Sequence, residues 1–309
     1  CMTGDISTEL HKLYGELVSG TVKYSDLKSR AGTRLDYISD KLVGRKFGAI
    51  EKNMSDMPTL IYDGPFSSAL EKTRPKGVTG SVTDLAGAKK KAVGFLGIKN
   101  ADSVSQYSYV GGPIQGLGLE VKKGDSDYFL NVSKIGGHVI WMIDNRNVNN
   151  INISVKQAAG YADNFLKGNG YEGMVPTYSM KYDDTAVINY AYSKDGIIYY
   201  PDLIKVKVAL DDGRVVGFDA MNYYMSHTQR TIGKPKLTQG QAEERVSLNL
   251  NIEQVRLAVI PLTGGKEVLT YEFMGNYGGN TYYVYINAQT GNEDQVLQII
   301  ETDEGKLTM

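Results

Sequence analysis

Three stretches of this chain open alike, and that internal repeat constrains the fold more than any other feature. Ser81-Val82-Thr83-Asp84-Leu85-Ala86-Gly87 is followed by Ala92-Val93-Gly94-Phe95-Leu96. Ser154-Val155-Lys156-Gln157-Ala158-Ala159-Gly160 is followed by Ala162-Asp163-Asn164-Phe165-Leu166. A weaker third copy begins Thr238-Gln239-Gly240-Gln241-Ala242. The spacing is too long for a common solenoid unit and suits a small domain. Repeated small modules point towards binding and away from one enclosed active site.

The repeat sets an organisation for the whole chain. Residues 1–76 read as a helical region and linker. Leu10, Leu13, Tyr14 and Leu17 give one apolar stripe at helical spacing. Three units follow, over 77–150, 151–233 and 234–309. Each reads as a helix and then an antiparallel meander, so the fold class is α+β. In the first unit Ser81 is the expected N-cap of a helix over about 82–97. The two halves of its motif lie three residues further apart than in the second copy, nearly one helical turn. The second unit is expected to have strands at 185–192, 197–200, 204–210 and 215–221. Asp211-Asp212-Gly213-Arg214 has hairpin chemistry. Asp144-Asn145-Arg146-Asn147 and Asn287-Ala288-Gln289-Thr290-Gly291 are its expected equivalents.

Composition narrows the function classes. With 309 residues, 41% of them hydrophobic, the chain has room for two or three packed domains. Lys+Arg is 34 against Asp+Glu 35, so no basic surplus speaks for nucleic acid. The single cysteine, Cys1, excludes an intramolecular disulfide and a Cys-rich zinc site. No run of about 18 apolar residues is present, so this fragment carries no membrane-spanning helix. The 22 tyrosines suit half-buried strands first and a recognition surface second.

Motifs for chemistry are sparse. His11, His138 and His227 have no metal-ligand spacing and no nucleophile partner. The Gly pairs near 111, 116–118, 136, 264 and 278 lack a phosphate-loop frame and read as hairpin turns. Asp183-Asp184, Asp211-Asp212, Glu243-Glu244 and Glu293-Asp294 are adjacent carboxylates, and adjacency does not make them converge. Trp141 sits in an apolar run and reads as core. No catalytic, cofactor-binding or metal-ligating residue is assigned.

A helix with S-x-x-x-A followed by a meander closing on D/N-x-x-(T)-G resembles the PepSY domain. Met57-Pro58-Thr59-Leu60-Ile61-Tyr62-Asp63-Gly64-Pro65-Phe66-Ser67, with Asn222, Tyr223 and His227, resembles the YpeB family of spore-germination proteins. The resemblance implies a non-enzymatic regulator without cofactor. It would bind, stabilise or inhibit a cortex-lytic peptidoglycan hydrolase of the SleB type. It implies a site outside the spore inner membrane, with an anchor upstream of residue 1. Asp63, Phe66, Asn222, Tyr223 and His227 are the partner-binding candidates. A peptidoglycan-binding module, with Tyr107, Tyr109, Tyr282 and Tyr283 stacking on sugars, is the alternative, as is a general PepSY-type protease inhibitor. Self-association is compatible with either.

Overall fold

A computed structural model describes residues 74–262, 266–302 and 305–308. The expected N-terminal helices, His11 and Gly264-Gly265 lie outside the described residues. The first repeat holds α1 (Leu85–Phe95), β1 (Ser103–Val110), β2 (Gly116–Lys123), β3 (Ser126–Ser133) and β4 (Val139–Asp144). The second holds α2 (Val155–Gly168), β5 (Met174–Tyr182), β6 (Thr185–Lys194), β7 (Ile197–Ala209) and β8 (Val215–Asp219). The short α3 (Met221–Ser226) follows it. The third holds α4 (Gln239–Glu243), β9 (Asn251–Pro261), β10 (Glu267–Tyr277), β11 (Asn280–Asn287) and β12 (Glu293–Thr302), with β13 (Gly305–Thr308) after it. The protein is α+β, and its strands join one large, mostly antiparallel sheet. Among the described residues no helix is long and apolar enough to cross a membrane.

The helix caps correct the register of the repeat. Asp84, not Ser81, caps α1, accepting from the Gly87 N–H at 2.7 Å. Ser154 and Thr238 cap α2 and α4, each in a capping box with Gln157 or Gln241. With Asp84 set against Ser154 and Thr238, no insertion is left. The fourth residue after each cap is Ala88, Ala158 or Ala242, each fully buried. The eighth is Ala92, Ala162 or Val246, and all three are buried. The twelfth is Leu96, Leu166 or Leu250. In α1 and α2 a stripe of every fourth residue is one helix face, and small side chains there let the helix lie close on its sheet, whereas α4 ends at Glu243 and Val246 and Leu250 continue the spacing beyond it.

The turns correct a second alignment. The equivalent of the 209–214 turn is the β3–β4 turn at 133–138, not Asp144–Asn147. Ser133, Ala209 and Asn287 donate their N–H to the carbonyls of His138, Arg214 and Asn292, at 2.8, 2.9 and 2.7 Å. Gly137, Gly213 and Gly291 precede those acceptors with φ of 65°, 82° and 77°, where a side chain would be strained. Each turn also holds the entry to its helix. The N–H groups of Thr83, Ile153 and Leu237 reach the carbonyls of Lys134, Leu210 and Ala288 at 2.7, 3.0 and 3.1 Å. Gly116 and Gly118, expected in a turn, lie inside β2. A Cβ on either would collide with Asn131 or with Ser108 and Tyr107.

The repeats fuse edge to edge. β4 pairs antiparallel with β8, Met142 opposite Phe218. These are equivalent strands, so repeats 1 and 2 meet like halves of a two-fold dimer. Their helices share one core beneath this seam. Phe95 and Phe165, again equivalent, pack edge to face at 5.1 Å, and both touch Phe218. Burying Phe218 and Leu166 contributes roughly 2–3 kcal/mol each. Repeat 3 joins differently. β9 pairs in parallel with Ile197–Tyr199 of β7 alone. The strands β5-β6-β7-β9-β10-β11-β12-β13 then form a ring, with β13 running back beside β5. A second core fills the ring, around Tyr200, Ile260, Tyr285 and Leu297. A third lies under α4.

Several strands depart from expectation. β5 was not read from the sequence, and β7 is one strand where two were expected. β7 contains Pro201 because Ala191 pairs with Leu203 while Tyr192 pairs with Tyr199, leaving 200–202 bulged out of the ladder. Tyrosines are core residues more than surface ones. Tyr190, Tyr200 and Tyr285 are fully buried. Tyr190 donates its hydroxyl to Asp163 at 2.6 Å, and Tyr200 accepts from Arg256 at 2.8 Å. Trp141 is partly buried against the first core.

Candidate functional site

The bulge in β7 carries a fully buried acidic side chain. Asp202 is 0% exposed among the aromatic and aliphatic residues of the first part of its strand, 197–204. A buried carboxylate is costly unless paired and hydrogen-bonded. Arg230 supplies a forked pair of bonds, Nη1 to Oδ2 at 2.8 Å and Nη2 to Oδ1 at 2.7 Å. His227 Nδ1 lies 2.7 Å from Oδ2. The same guanidinium donates to both oxygens of Glu267 on β10, at 2.6 and 3.0 Å. It lies 5.4 Å from the Tyr199 ring centroid and also donates to the Ser226 carbonyl at 3.0 Å. Burial works against the Arg230 charge, but its bonds to Glu267 and Asp202 outweigh that and hold its pKa above the ordinary arginine value. The cluster ties repeat 2, the residues after α3 and repeat 3 into one clasp.

Two sequence candidates belong here. Tyr223 stacks on His227, with ring centroids 4.3 Å apart and planes 14° apart. Tyr192 meets the same imidazole edge-on at 4.8 Å. Burial raises the Tyr223 phenol above its usual range. Asn222 sits at the start of α3, next to Tyr223. Asp63 and Phe66 lie outside the described residues. Sequence reasoning missed Asp202, Arg230 and Glu267. The available signal was Pro201-Asp202 inside an aromatic strand, a charge and a missing N–H where a buried ladder tolerates neither.

A second network closes the seam between repeats 1 and 2. Arg146 donates to Asp211 at 2.9 and 2.8 Å and to Asp212 at 2.8 Å. Arg214 bonds Asp212 at 2.6 Å and Asp125 at 3.0 and 3.1 Å. Ser126 donates to the buried Asp144 at 2.8 Å. Bonds from Arg146 hold the Asp211 carboxyl down to about 2, while burial pushes Asp144 up. A third pair, Arg256 on Glu272, is enclosed in the ring. Carboxylates engaged by guanidinium in this way fix position and are poor proton carriers. No group of three His, Cys, Asp or Glu side chains among the described residues is arranged to hold a metal ion.

The ring opens in a cleft of about 460 Å³ lined by Pro176, Tyr178, Glu253, Met274, Tyr283 and Ile299. Burial raises the Tyr283 pKa, and its ring forms part of this lining. Tyr282 packs near Tyr277 at 6.4 Å on the β10–β11 hairpin. Tyr107 lies against Phe129 at 5.7 Å. Tyr109 is left 73% exposed. The four tyrosines considered for sugar stacking therefore do not share one platform.

Comparisons with known proteins agree with this architecture. The family described as YpeB sporulation, PepSY1 and PepSY2 domains matches residues 43–233. The family described as peptidase propeptide and YPEB domain matches residues 236–293. Sporulation protein YpeB of Bacillus subtilis is 30% identical over 299 residues, 94% of this chain and 66% of that protein. Sporulation protein YpeB of Halalkalibacterium halodurans is 34% identical over 214 residues, 69% of this chain and 46% of that protein. The chain thus spans about half to two thirds of the length of these relatives. The solved Bacillus megaterium YpeB C-terminal domain superposes with a TM-score of 0.64 at 31% identity, over 71% of this chain and 99% of that one. With its helix caps, turns and meanders repeated three times under those matches, the chain belongs to the YpeB family of sporulation proteins and carries PepSY domains.

Proposed function

We propose that this chain is a non-catalytic regulator in spore germination that binds a cortex-lytic peptidoglycan hydrolase of the SleB type. The observation that carries the reading is β1. It is an outer strand of the sheet, eight residues long, with no charged residue and no proline, though a bulge between Gln106 and Ser108 interrupts its pairing. Among the described residues it pairs with β2 alone. An edge with outward backbone donors and acceptors is a ready template for a partner strand, and most proteins blunt such edges with charge or proline. The ionic clusters support the same reading, because their carboxylates are committed to arginines at the repeat junctions. In this reading the chain acts outside the spore inner membrane and holds the hydrolase in place, stable or inactive, until germination.

A pull-down with purified hydrolase tests it. The chain is expected to retain the hydrolase, and Ser103→Lys/Ser105→Lys, which blunts the edge, to release it. Equal retention by both chains sinks the edge, and no retention by either sinks the function. Direct contact with peptidoglycan rests on the Tyr277–Tyr282 pair at a hairpin tip. Sedimentation with cortex fragments in the absence of hydrolase separates the two.

A further inference from the structure

The three repeats offer an internal control for surface residues. Two residues before each helix cap stand Val82, Asn152 and Lys236. At the third position of each equivalent turn stand Ile135, Asp211 and Gln289. In repeat 2 the place is polar and bonded, Asn152 donating to the Asp211 carbonyl at 2.9 Å. In repeat 3, Gln289 donates to the Lys234 carbonyl at 2.9 Å. Repeat 1 puts two aliphatics there instead. Val82 and Ile135 pair in an isolated bridge, yet Val82 is 76% exposed and Ile135 40%. Folding alone does not require them, since the same backbone is held with polar residues twice elsewhere in the molecule.

Two cations flank this pair. Lys134, next to Ile135, lies over the exposed Tyr109 ring at 5.4 Å. Lys91 borders the same turn, close to Gly137. Lys89 and Lys90 precede it on α1. None of the four lysines has a salt-bridge partner among the described residues. The one carboxylate between residues 79 and 91, Asp84, is turned to the helix N-terminus as its cap. Protruding aliphatics, one exposed tyrosine and unpaired lysines make a surface complementary to an apolar layer under negative charge.

We propose that this corner of repeat 1, built by Val82, Ile135, Tyr109, Lys91 and Lys134, docks on an anionic lipid bilayer. Lysine is depleted at the centre of protein–protein interfaces, which argues against a protein occupant. Tyrosine and lysine beside small apolar tips suit the headgroup level of a membrane.

Vesicle co-sedimentation of the full chain tests this. The chain is expected to bind phosphatidylcholine vesicles containing about 30% phosphatidylglycerol, to ignore pure phosphatidylcholine, and to release as salt rises. Lys91→Glu/Lys134→Glu should lower binding by more than about 25-fold, about fivefold for each lysine lost with the added carboxylates lowering it further. Val82→Ser/Ile135→Ser should lower it severalfold, and Lys167→Glu on α2 should leave it unchanged. All these positions are partly or fully exposed, so far-UV circular dichroism should match the parent. If one double variant misfolds, the other still decides. Absence of phosphatidylglycerol-dependent binding, undiminished binding by the folded double variants, or an equal loss in Lys167→Glu overturns the proposal. So does a lysine-pair effect seen only in a pull-down with the hydrolase, which assigns the corner to an acidic protein face.

Discussion

The seam between repeats 1 and 2 and the seam between repeats 2 and 3 solve the same problem by different means. At the first, equivalent strands β4 and β8 pair, and α1 and α2 bury their phenylalanines in one common core. The Arg146 network only trims its rim. At the second, three residues of β7 meet β9, both repeats line the core inside the ring, and a buried ionic clasp ties the junction. An apolar seam is non-directional and resists separation. A clasp of paired charges has a desolvation cost that only intact geometry offsets, so losing one partner leaves the seam worse than neutral. Repeats 1 and 2 should therefore unfold as one body, and loss of the clasp should loosen repeat 3 from it despite the ring core that repeats 2 and 3 share.

Phe218→Ala attacks the first seam where both repeats meet and should have the largest effect, about 3–5 kcal/mol. Because the core is shared, calorimetry should show repeats 1 and 2 melting together at lower temperature. Two resolved transitions for them would contradict a single core. Arg230→Met leaves Asp202 buried with only His227 beside it and should cost about 3 kcal/mol. Here the expected signature is an early, separate transition for repeat 3 and new proteolysis at the second seam. A uniform shift of one transition would mean that the clasp is not what joins the bodies.

Acid should loosen the rim of the first seam. Asp211 has its folded pKa lowered to about 2 by Arg146, below the usual 3.8. Its stabilisation is fully present above the unfolded value and is lost as pH falls from about 4 through 2, on the order of 2 kcal/mol in all. Asp144 runs the other way: burial raises its pKa, so its protonation on acidification relieves a cost and blunts the limb. Asp211→Asn should flatten stability between pH 4 and pH 2. An unchanged acid limb would remove Arg146 from the account of this seam.

How much of this was legible before the fold was known follows from range. The repeats, the α+β class and the meanders are local patterns, and they were readable. The first repeat was read three residues out of register because Ser81-Val82 spells the same letters as Ser154-Val155. Capping depends on which side chain can reach the third N–H along, and Asp84 does so. The fourfold spacing from the cap to Ala88, Ala92 and Leu96 held the right answer. Tyr223 and His227 were picked by resemblance, and the geometry joins them. Asp202, Arg230 and Glu267 are far apart in sequence, and only the pairing of β7 with three neighbours assembles them. Strand patterns say that edges exist, while long-range pairing decides which edges meet.

The smallest expected effect discriminates best between the two seams. Ser154 and Thr238 are equivalent caps with the same capping box, so Ser154→Ala and Thr238→Ala remove the same bonds, each worth about 1 kcal/mol. What differs is the body each helix belongs to. If repeats 1 and 2 are one cooperative unit, Ser154→Ala should raise amide exchange in both, α1 included, though α1 is not touched. Thr238→Ala should raise exchange in α4 and the third core and leave α1 and α2 as they were. Faster exchange confined to α2 after Ser154→Ala would show that the shared core does not couple the first two repeats, and the contrast between the seams would collapse.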